Sequence, residues 1–412
     1  MVIRGSAKAF CQGRGVNVEL AINGGKPVRE TLLPYGHQSI VEEDIQAVVE
    51  VLKSDWITTG PKVAEFEEAL AEFVGADCAV SFGSGTAALH GAAFAAGLAP
   101  GDEAITTSMT FCATANCVLY QGARPIFADV SADTLNIDPE KISERITKKT
   151  KAIIPVDYAG HPADLDRISK LAEENSLMVI EDACHALGAS YKGKAIGGIS
   201  DMTVFSFHPV KHITTGEGGM VTTNDRSLAR RLRRFRSHGI DSDARVRQAK
   251  GQWYYEMVDL GYNYRLSDFQ CALGLSQMKR LAEGLERRRI IAGIYDSAFE
   301  DSPFIRPLSV HRDVAHARHL YVVRLNLERL SSGRDAIFSA LRAEGIGVNV
   351  HYIPVHLHPF YRTKMGTGPG MCPVAEAAYG QILSLPIFPG MSDSDAGDVI
   401  DAMRKIIEVY GS

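Results

Sequence analysis

Hydrophobic and polar positions along the chain follow two periods. From Ile40 to Leu52 the segment IVEEDIQAVVEVL sets apolar residues at helical spacing, with acids near its start. Val63 to Val74 (VAEFEEALAEFV) repeats that pattern up to Gly75, after a break at Trp56 to Pro61. Short apolar runs then alternate with helical stretches. Strands are predicted over Ala79–Phe82, Glu103–Thr107, Pro125–Val130, Ala152–Val156, Leu177–Ile180, Met202–Phe207 and Met220–Asn224. Helices are predicted over Ala87–Ala96, Phe111–Gln121, Pro139–Ile146 and Asp164–Glu174. Repeated strand–helix–strand units with short links imply an α/β fold, a mostly parallel sheet covered on both faces. In such sheets ligands gather at the carboxyl ends of strands, which places Gly83–Thr86, Thr110–Phe111, Glu181–Asp182 and Ser206–Lys211 around one site.

Further on the pattern changes. A basic helix is expected over Ser227–His238, then a polar loop over Asp241–Asp259. In GYNYRLSDFQCALGLSQMKRL (Gly261–Leu281) the second half reads as an apolar helix capped by Ser267 or Asp268 and running on through Arg287–Arg289. An α+β part follows, with strands His319–Leu327 and Gly347–Tyr352, a helix Asp335–Glu344, a loop rich in His and Pro, and helices near Val374–Gln381 and Ser392–Ile407. The predicted division is a loose tail over 1–22, a large α/β domain over 23–280 and a small α+β domain over 281–412.

Composition narrows the class. The chain has 412 residues, 45% hydrophobic and 23% charged, with a formal net charge of −5, so a polyanion partner is not expected. Arg230, Arg231, Arg233, Arg234 and Arg236 read as a solvated helix face. Seven scattered cysteines without a CxxC pair read as reduced, buried thiols of a cytosolic protein. No apolar run approaches a membrane span, and the basic first residues lack the apolar core of a signal peptide. The first twenty or so read as a loose tail or an over-extended start.

Candidate chemistry centres on Asp201–Asp225, DMTVFSFHPVKHITTGEGGMVTTND. Lys211 lies in a glycine-rich turn between two strand signals, away from other charges. A poorly hydrated lysine has a lowered pKa and becomes an amine nucleophile; a solvated lysine or a phosphate contact fits the stretch equally. Asp182 ends an apolar strand, where a buried carboxylate needs a partner: a protonated pyridine nitrogen, a helix N-terminus or Mg²⁺. Gly83-Ser84-Gly85-Thr86 between strand and helix has phosphate-binding geometry, or serves close packing. Together these match what pyridoxal 5'-phosphate (PLP) requires: an amine (Lys211), an anion (Asp182), an anion hole (the GSGT turn with Ser206) and an apolar ring face (Phe111). His351, His356 and His358 have no zinc-site spacing and read as a loop lining a pocket, with no metal expected.

These stretches resemble the DegT/DnrJ/StrS family of PLP-dependent sugar aminotransferases, which has the aspartate-aminotransferase-like fold (fold type I). The resemblance lies in WITTGPKVAEF (56–66), SFGSGTAA (81–88), TFCATAN (110–116), VIEDACHA (179–186), FSFHPVKHITTGEGG (205–219), GYNYRLSD (261–268) and VHYIPVH (350–356). It covers the chain from about Asn23 onward. It implies that Lys211 carries the cofactor and moves the proton, Asp182 pairs with the pyridinium, and His185 lies near the phenolic oxygen. It further implies that Phe111 stacks on the ring and that Ser84, Gly85, Thr86 and Ser206 bind phosphate. Asn263 or Arg265 would reach the partner's site in a homodimer, and Trp56, Thr59, His351 and His356 are candidate substrate contacts, with His37 beside them. The implied substrates are L-glutamate and a nucleotide-linked keto sugar in a cytoplasmic enzyme. Within the family the wording most resembles pseudaminic-acid-pathway enzymes, which implies amination at C4 of a UDP-linked 2-acetamido-2,6-dideoxy-4-keto-hexose. Amination of a dTDP- or GDP-linked sugar, and sugar dehydration, are the alternatives. Dehydratase relatives carry histidine at the lysine position; here Lys211 is present, with His212 beside it as a bystander.

Overall fold

The structure, a computed structural model, describes residues 19–242, 247 and 251–411. Most of the expected tail, including Cys11, lies outside them. In chain order the strands are β1 (Cys78–Phe82), β2 (Glu103–Thr107), β3 (Arg124–Ala128), β4 (Thr150–Ile154), β5 (Met178–Asp182), β6 (Ser190–Tyr191), β7 (Lys194–Ala195), β8 (Met202–Ser206), β9 (Gly219–Thr223), β10 (Ile305–Pro307), β11 (Val314–Ala315), β12 (Tyr321–Leu325) and β13 (Ile382–Leu385). Seven form the main sheet, in the order β1-β9-β8-β5-β4-β2-β3. From β8 to β3 the neighbours are parallel, while β9 runs antiparallel to both β8 and β1. The expected mostly parallel α/β sheet is therefore present.

The central strands are buried on both faces, which is why they read as apolar runs rather than alternating ones. Ile153, Ile180 and Val204 have no exposed surface, and each such side chain contributes roughly 1.5–3 kcal/mol by leaving water. Helices α1 (Glu42–Leu52) and α2 (Pro61–Val74) pack against helix Asp268–Met278. The capping expectation resolves into two roles. Ser267 caps its own helix in a box with Gln270. Asp268 is buried and accepts from the amides of Gly60 (2.6 Å) and Lys62 (3.0 Å) at the start of α2.

Three local expectations differ from what is found. The helix over Asp268–Met278 does not run on; the turn at Lys279–Arg280 precedes a separate helix, Leu281–Phe299, whose Ile291, Tyr295 and Phe299 join a core that also takes in Leu20 and Leu33. Gly347–Tyr352 forms no strand. Different partners meet it along its length, Leu33 O at Gly347 (2.7 Å) and Ser384 at a single bridge with Asn349, so no ladder extends. The basic helix Arg226–Arg236 is not only a solvated face, because Arg236 pairs with the buried Glu67 and donates to Ser81 O (3.0 Å). Of the six described cysteines, Cys117, Cys271 and Cys372 are buried, Cys78, Cys112 and Cys184 partly so, and all are free. The small sheet β10-β12-β13 is antiparallel and completes an α+β C-terminal part.

Candidate active site

The strand ends β4, β5 and β8 bring one group of side chains together. Asp182, 4% exposed, closes β5. Its Oδ2 accepts from Thr114 Oγ1 (2.7 Å) and its Oδ1 from the Cys184 amide (3.2 Å). Thr114 lies in helix α4 (Cys112–Tyr120) and shares a hydrogen bond with Thr110 Oγ1 (2.8 Å), one helical turn earlier. This fixes the carboxylate without a cation, so its negative charge remains available to a ligand.

Lys211 follows β8 in a turn closed by its amide on His208 O (2.9 Å). Its amine makes no hydrogen bond or ion pair among the described residues. Part of the side chain's surface is open, beside a space of about 340 Å³ that His37 also lines. Its surroundings are nevertheless dense, and this desolvation lowers the amine's pKa; the nearby Cys184 and Asp182 oppose the shift and the Arg288 guanidinium adds to it. Burial counts for more here than surface area suggests, because Arg288, Asp182 and four imidazoles sense the same charge at short range. Those imidazoles are His185, His212, His319 and His351. Burial first, then neighbouring positive charge, pushes all four down, to about 3 for His212 and His351. They are neutral at physiological pH and leave Lys211 as the titratable base of the group.

His185 Nε2 meets Tyr352 Oη at 3.0 Å, with the two rings stacked at 6.0 Å. Its Nδ1, like those of His212 and His319, is buried without a partner among the described residues. Phe111 is 57% exposed, its ring 6.2 Å from that of Tyr352, which in turn meets His185.

The GSGT turn begins helix α3 (Gly85–Ala95), with Ser84 as N-cap accepting from the Ala87 amide (3.1 Å). The amides at the start of a helix have no acceptor within it, and the helix dipole favours an anion there. Gly85 packs so closely on Ser206 that a Cβ would lie 2.9 Å from the serine Cβ; one on Gly219 would lie 2.6 Å from Ser84 O. These contacts draw Ser206, Ser84 and Thr86 to one helix end. Gly219→Ala is therefore expected to push the turn outward and weaken phosphate retention at least tenfold, read as the Kd for PLP; an unchanged Kd would refute that packing argument.

The fold thus provides an amine with no partner among the described residues, a carboxylate free of cations, an exposed aromatic ring and a helix N-terminus. Trp56, Thr59 and Arg265 line other cavities, although the Arg265 backbone runs beside Gly83 of the GSGT turn. Trp56 lines a cavity of about 970 Å³ between α1, α2 and helix Asp268–Met278. Thr59 and Arg265 line another, of about 760 Å³, with Glu67, Arg233 and Arg236. Asn263 is exposed, beside Tyr264, whose carbonyl accepts from Gly83 N (2.7 Å). These cavities exceed the space at Lys211, but the one amine paired in them, Lys62 with Glu65 (2.6 Å), is an exposed ion pair rather than a desolvated amine, so size does not locate the chemistry. His356 is corrected: it has no exposed surface, and its Nε2 bonds to Glu376 (2.9 Å), so it is interior packing and offers nothing to a sugar. His351 does join the Lys211 group, though Ser384 Oγ takes its Nδ1 (2.8 Å).

Sequence reasoning missed Thr114, Tyr352, His319 and Arg288. Only Thr114 carried a local signal, its i, i+4 spacing from Thr110 at a helix start; the others meet the site through contacts far apart in sequence.

A family model described as the DegT/DnrJ/EryC1/StrS aminotransferase family matches residues 38–404. Spore coat polysaccharide biosynthesis protein SpsC of Bacillus subtilis is 45% identical over 382 residues, 92% of this chain and 98% of that protein. The structure of PseC of Helicobacter pylori, an aminotransferase involved in the biosynthesis of pseudoaminic acid, aligns with a TM-score of 0.86 at 35% identity, covering 92% of this chain and all of PseC. Spr1654 of Streptococcus pneumoniae, described as a candidate sugar aminotransferase, aligns in its PMP- and PLP-forms with TM-scores of 0.87 and 0.86 at 33% identity, covering 92% of this chain and 99% of Spr1654.

Proposed function

The chain belongs to the DegT/DnrJ/EryC1/StrS aminotransferase family, a PLP-dependent sugar aminotransferase of the aspartate-aminotransferase-like fold, and we propose that it moves the amino group of L-glutamate to C4 of a UDP-linked 2-acetamido-2,6-dideoxy-4-keto-hexose. The observation that carries the amination reading is the unpartnered Lys211 amine, desolvated and set against Asp182 at neighbouring strand ends. The sugar reading rests on likeness to PseC and on the wording of the Lys211, GYNYRLSD and VHYIPVH stretches.

When bound, the cofactor supplies an aldehyde that takes up the donor's amino group and an electron sink for the carbon that loses its proton. Lys211 would hold the cofactor, and its Nζ would take and return that proton. A lowered amine pKa raises the unprotonated fraction at neutral pH. Asp182, fixed by Thr114, would keep the ring nitrogen protonated. His185, neutral and oriented by Tyr352, would stand near the phenolic oxygen. Phe111 would cover one ring face, and Ser84, Gly85, Thr86 and Ser206 would hold the phosphate.

Two copies complete the site in this reading. Trp253, Tyr254, Tyr255 and Leu260 are exposed in the segment that precedes Asn263, and a second chain covering them would bring Asn263, Arg265, Trp56 and Thr59 to its own Lys211. Among the described residues no helix is long and apolar enough to cross a membrane, in keeping with a cytoplasmic homodimer. The test is mass spectrometry of products from UDP-, dTDP- and GDP-linked 4-keto sugars with glutamate. Amino-sugar formation from the UDP-linked 2-acetamido substrate, at least tenfold above the others, is expected. Preference for a dTDP or GDP sugar would overturn the substrate, and a dehydrated product without 2-oxoglutarate would overturn transamination.

A further inference from the structure

Behind Asp182 lies a second pair of acids. Glu181 is in β5, and Asp157 follows β4; neither has exposed surface. One oxygen of each is satisfied. Glu181 Oε2 accepts from Ser200 Oγ (2.8 Å) and Thr203 Oγ1 (3.0 Å), and Asp157 Oδ1 from the Ala163 amide (2.9 Å). The remaining oxygens, Asp157 Oδ2 and Glu181 Oε1, are buried with no donor among the described residues. Val156 pairs with Asp182 across the neighbouring strands, so Asp157 and Glu181, one residue to either side, project to the same face and turn these oxygens toward each other. Two carboxylate oxygens cannot bond unless a proton lies between them, and like charges this close in a dry interior do not both ionise. The same segment fixes Asp182: the Asp157 amide donates to Asp182 O (3.1 Å), and the Asp182 amide donates to Pro155 O (2.9 Å).

We propose that Asp157 and Glu181 share one proton and act as a positioning pair, clamping the ends of β4 and β5 so that Asp182 holds its place against the pyridine nitrogen. This rests on the reading of Asp182 given above. The shared proton limits the pair to one negative charge. The titratable groups facing it are Asp182 on the same strand and Cys184 just beyond; β8 and the Ser200 turn present hydroxyls, and the loop after Asp157 presents the Ala163 amide. Neither acid has a lysine or arginine partner among the described residues. Burial first, then the facing acid, raises Asp157 well above the usual carboxylate range, and burial raises Glu181.

The sign follows. The folded pKa exceeds the unfolded one, so the folded chain carries a proton that the unfolded chain has already released. The stability tied to it is full below the unfolded pKa and is lost as pH rises toward the folded value. Asp157→Asn keeps the hydrogen bond through its amide and removes the proton linkage. In apo protein, the ratio of folding constants, Asp157→Asn over wild type, is expected to rise about tenfold per pH unit above pH 5, as one linked proton requires. Glu181→Gln should do the same and serves if Asp157→Asn does not fold. A ratio flat in pH for the variants that fold overturns the shared proton. In the holo form the cofactor's visible band is titrated with pH. Asp157→Ala should move its midpoint and Asp157→Asn should not; an unmoved midpoint in Asp157→Ala overturns the positioning role. Asp182→Asn separates the premise: if it leaves the midpoint unchanged the Asp182 reading fails, and if it moves the midpoint while Asp157→Ala does not, only the clamp fails.

Discussion

Lys211→Ala is expected to abolish transamination and the cofactor's covalent attachment together. Alanine offers no amine, so borohydride should fix no PLP mass on the protein, and the visible band of the bound cofactor should vanish or shift to that of free aldehyde. Turnover should fall by at least about 10²–10⁴-fold, the range supplied by a positioned acid–base group, before loss of the covalent link is counted. His212 cannot substitute, because burial holds it neutral to about 3 and its Nε2 is taken by Ala317 O (3.0 Å). Folding gives a second readout. The folded pKa of Lys211 is lowered by burial, so folding releases protons from this group. Wild-type stability therefore rises with pH toward the ordinary lysine value. Apo Lys211→Ala should show its greatest relative gain in Tm at low pH and lose it as pH rises. Retained borohydride-fixed PLP in the variant would sink the assignment of this lysine.

The parts of the molecule that were legible in the sequence share a physical cause. Strands such as Glu103–Thr107 and Met202–Ser206 are buried on both faces, so their apolar runs stand out from their surroundings. The GSGT turn and Lys211 were legible because small residues cluster only where backbone must approach backbone, as Gly219 approaches Ser84. Gly347–Tyr352 misled because alternation reports what faces a strand, not whether a neighbour pairs along it. His356 misled for a related reason: a histidine in a polar-looking loop can turn inward when a carboxylate, here Glu376, awaits it. Trp56, Thr59 and Arg265 carry the family's wording but line other cavities of their own chain, so a motif's wording did not tell which cavity its side chains face. The Asp157–Glu181 pair had no signal, because the DYAG and IEDA stretches meet only through the order of the sheet.

Asp182→Asn tests the electrostatic half of the site. Asparagine matches aspartate in size, and it can still accept from Thr114 or from the Cys184 amide, so the fold and cofactor attachment through Lys211 should survive. What disappears is the anion. Without it the ring nitrogen is no longer held protonated and the ring becomes a poorer sink for electrons from the carbon that loses its proton. The loss falls on the chemical step, so kcat should drop about 10²–10⁴-fold while KM changes little, the pattern of an interaction made more strongly in the transition state. Thr114→Val removes the hydrogen bond to Oδ2 (2.7 Å), along with those to Thr110 Oγ1 (2.8 Å) and Phe111 O (3.2 Å), and leaves the anion in place. At about 0.5–1.5 kcal/mol for such a bond, rising to about 3 kcal/mol for one to a charged group, it should cost between a few-fold and about 100-fold. The order Asp182→Asn worse than Thr114→Val is the diagnostic, measured as the single-turnover rate at which glutamate bleaches the visible band. An Asp182→Asn rate within tenfold of wild type would mean that the ring nitrogen draws its charge from elsewhere, and Asp182 would then be a strand-end anchor bonded to Thr114 and Cys184 and nothing more.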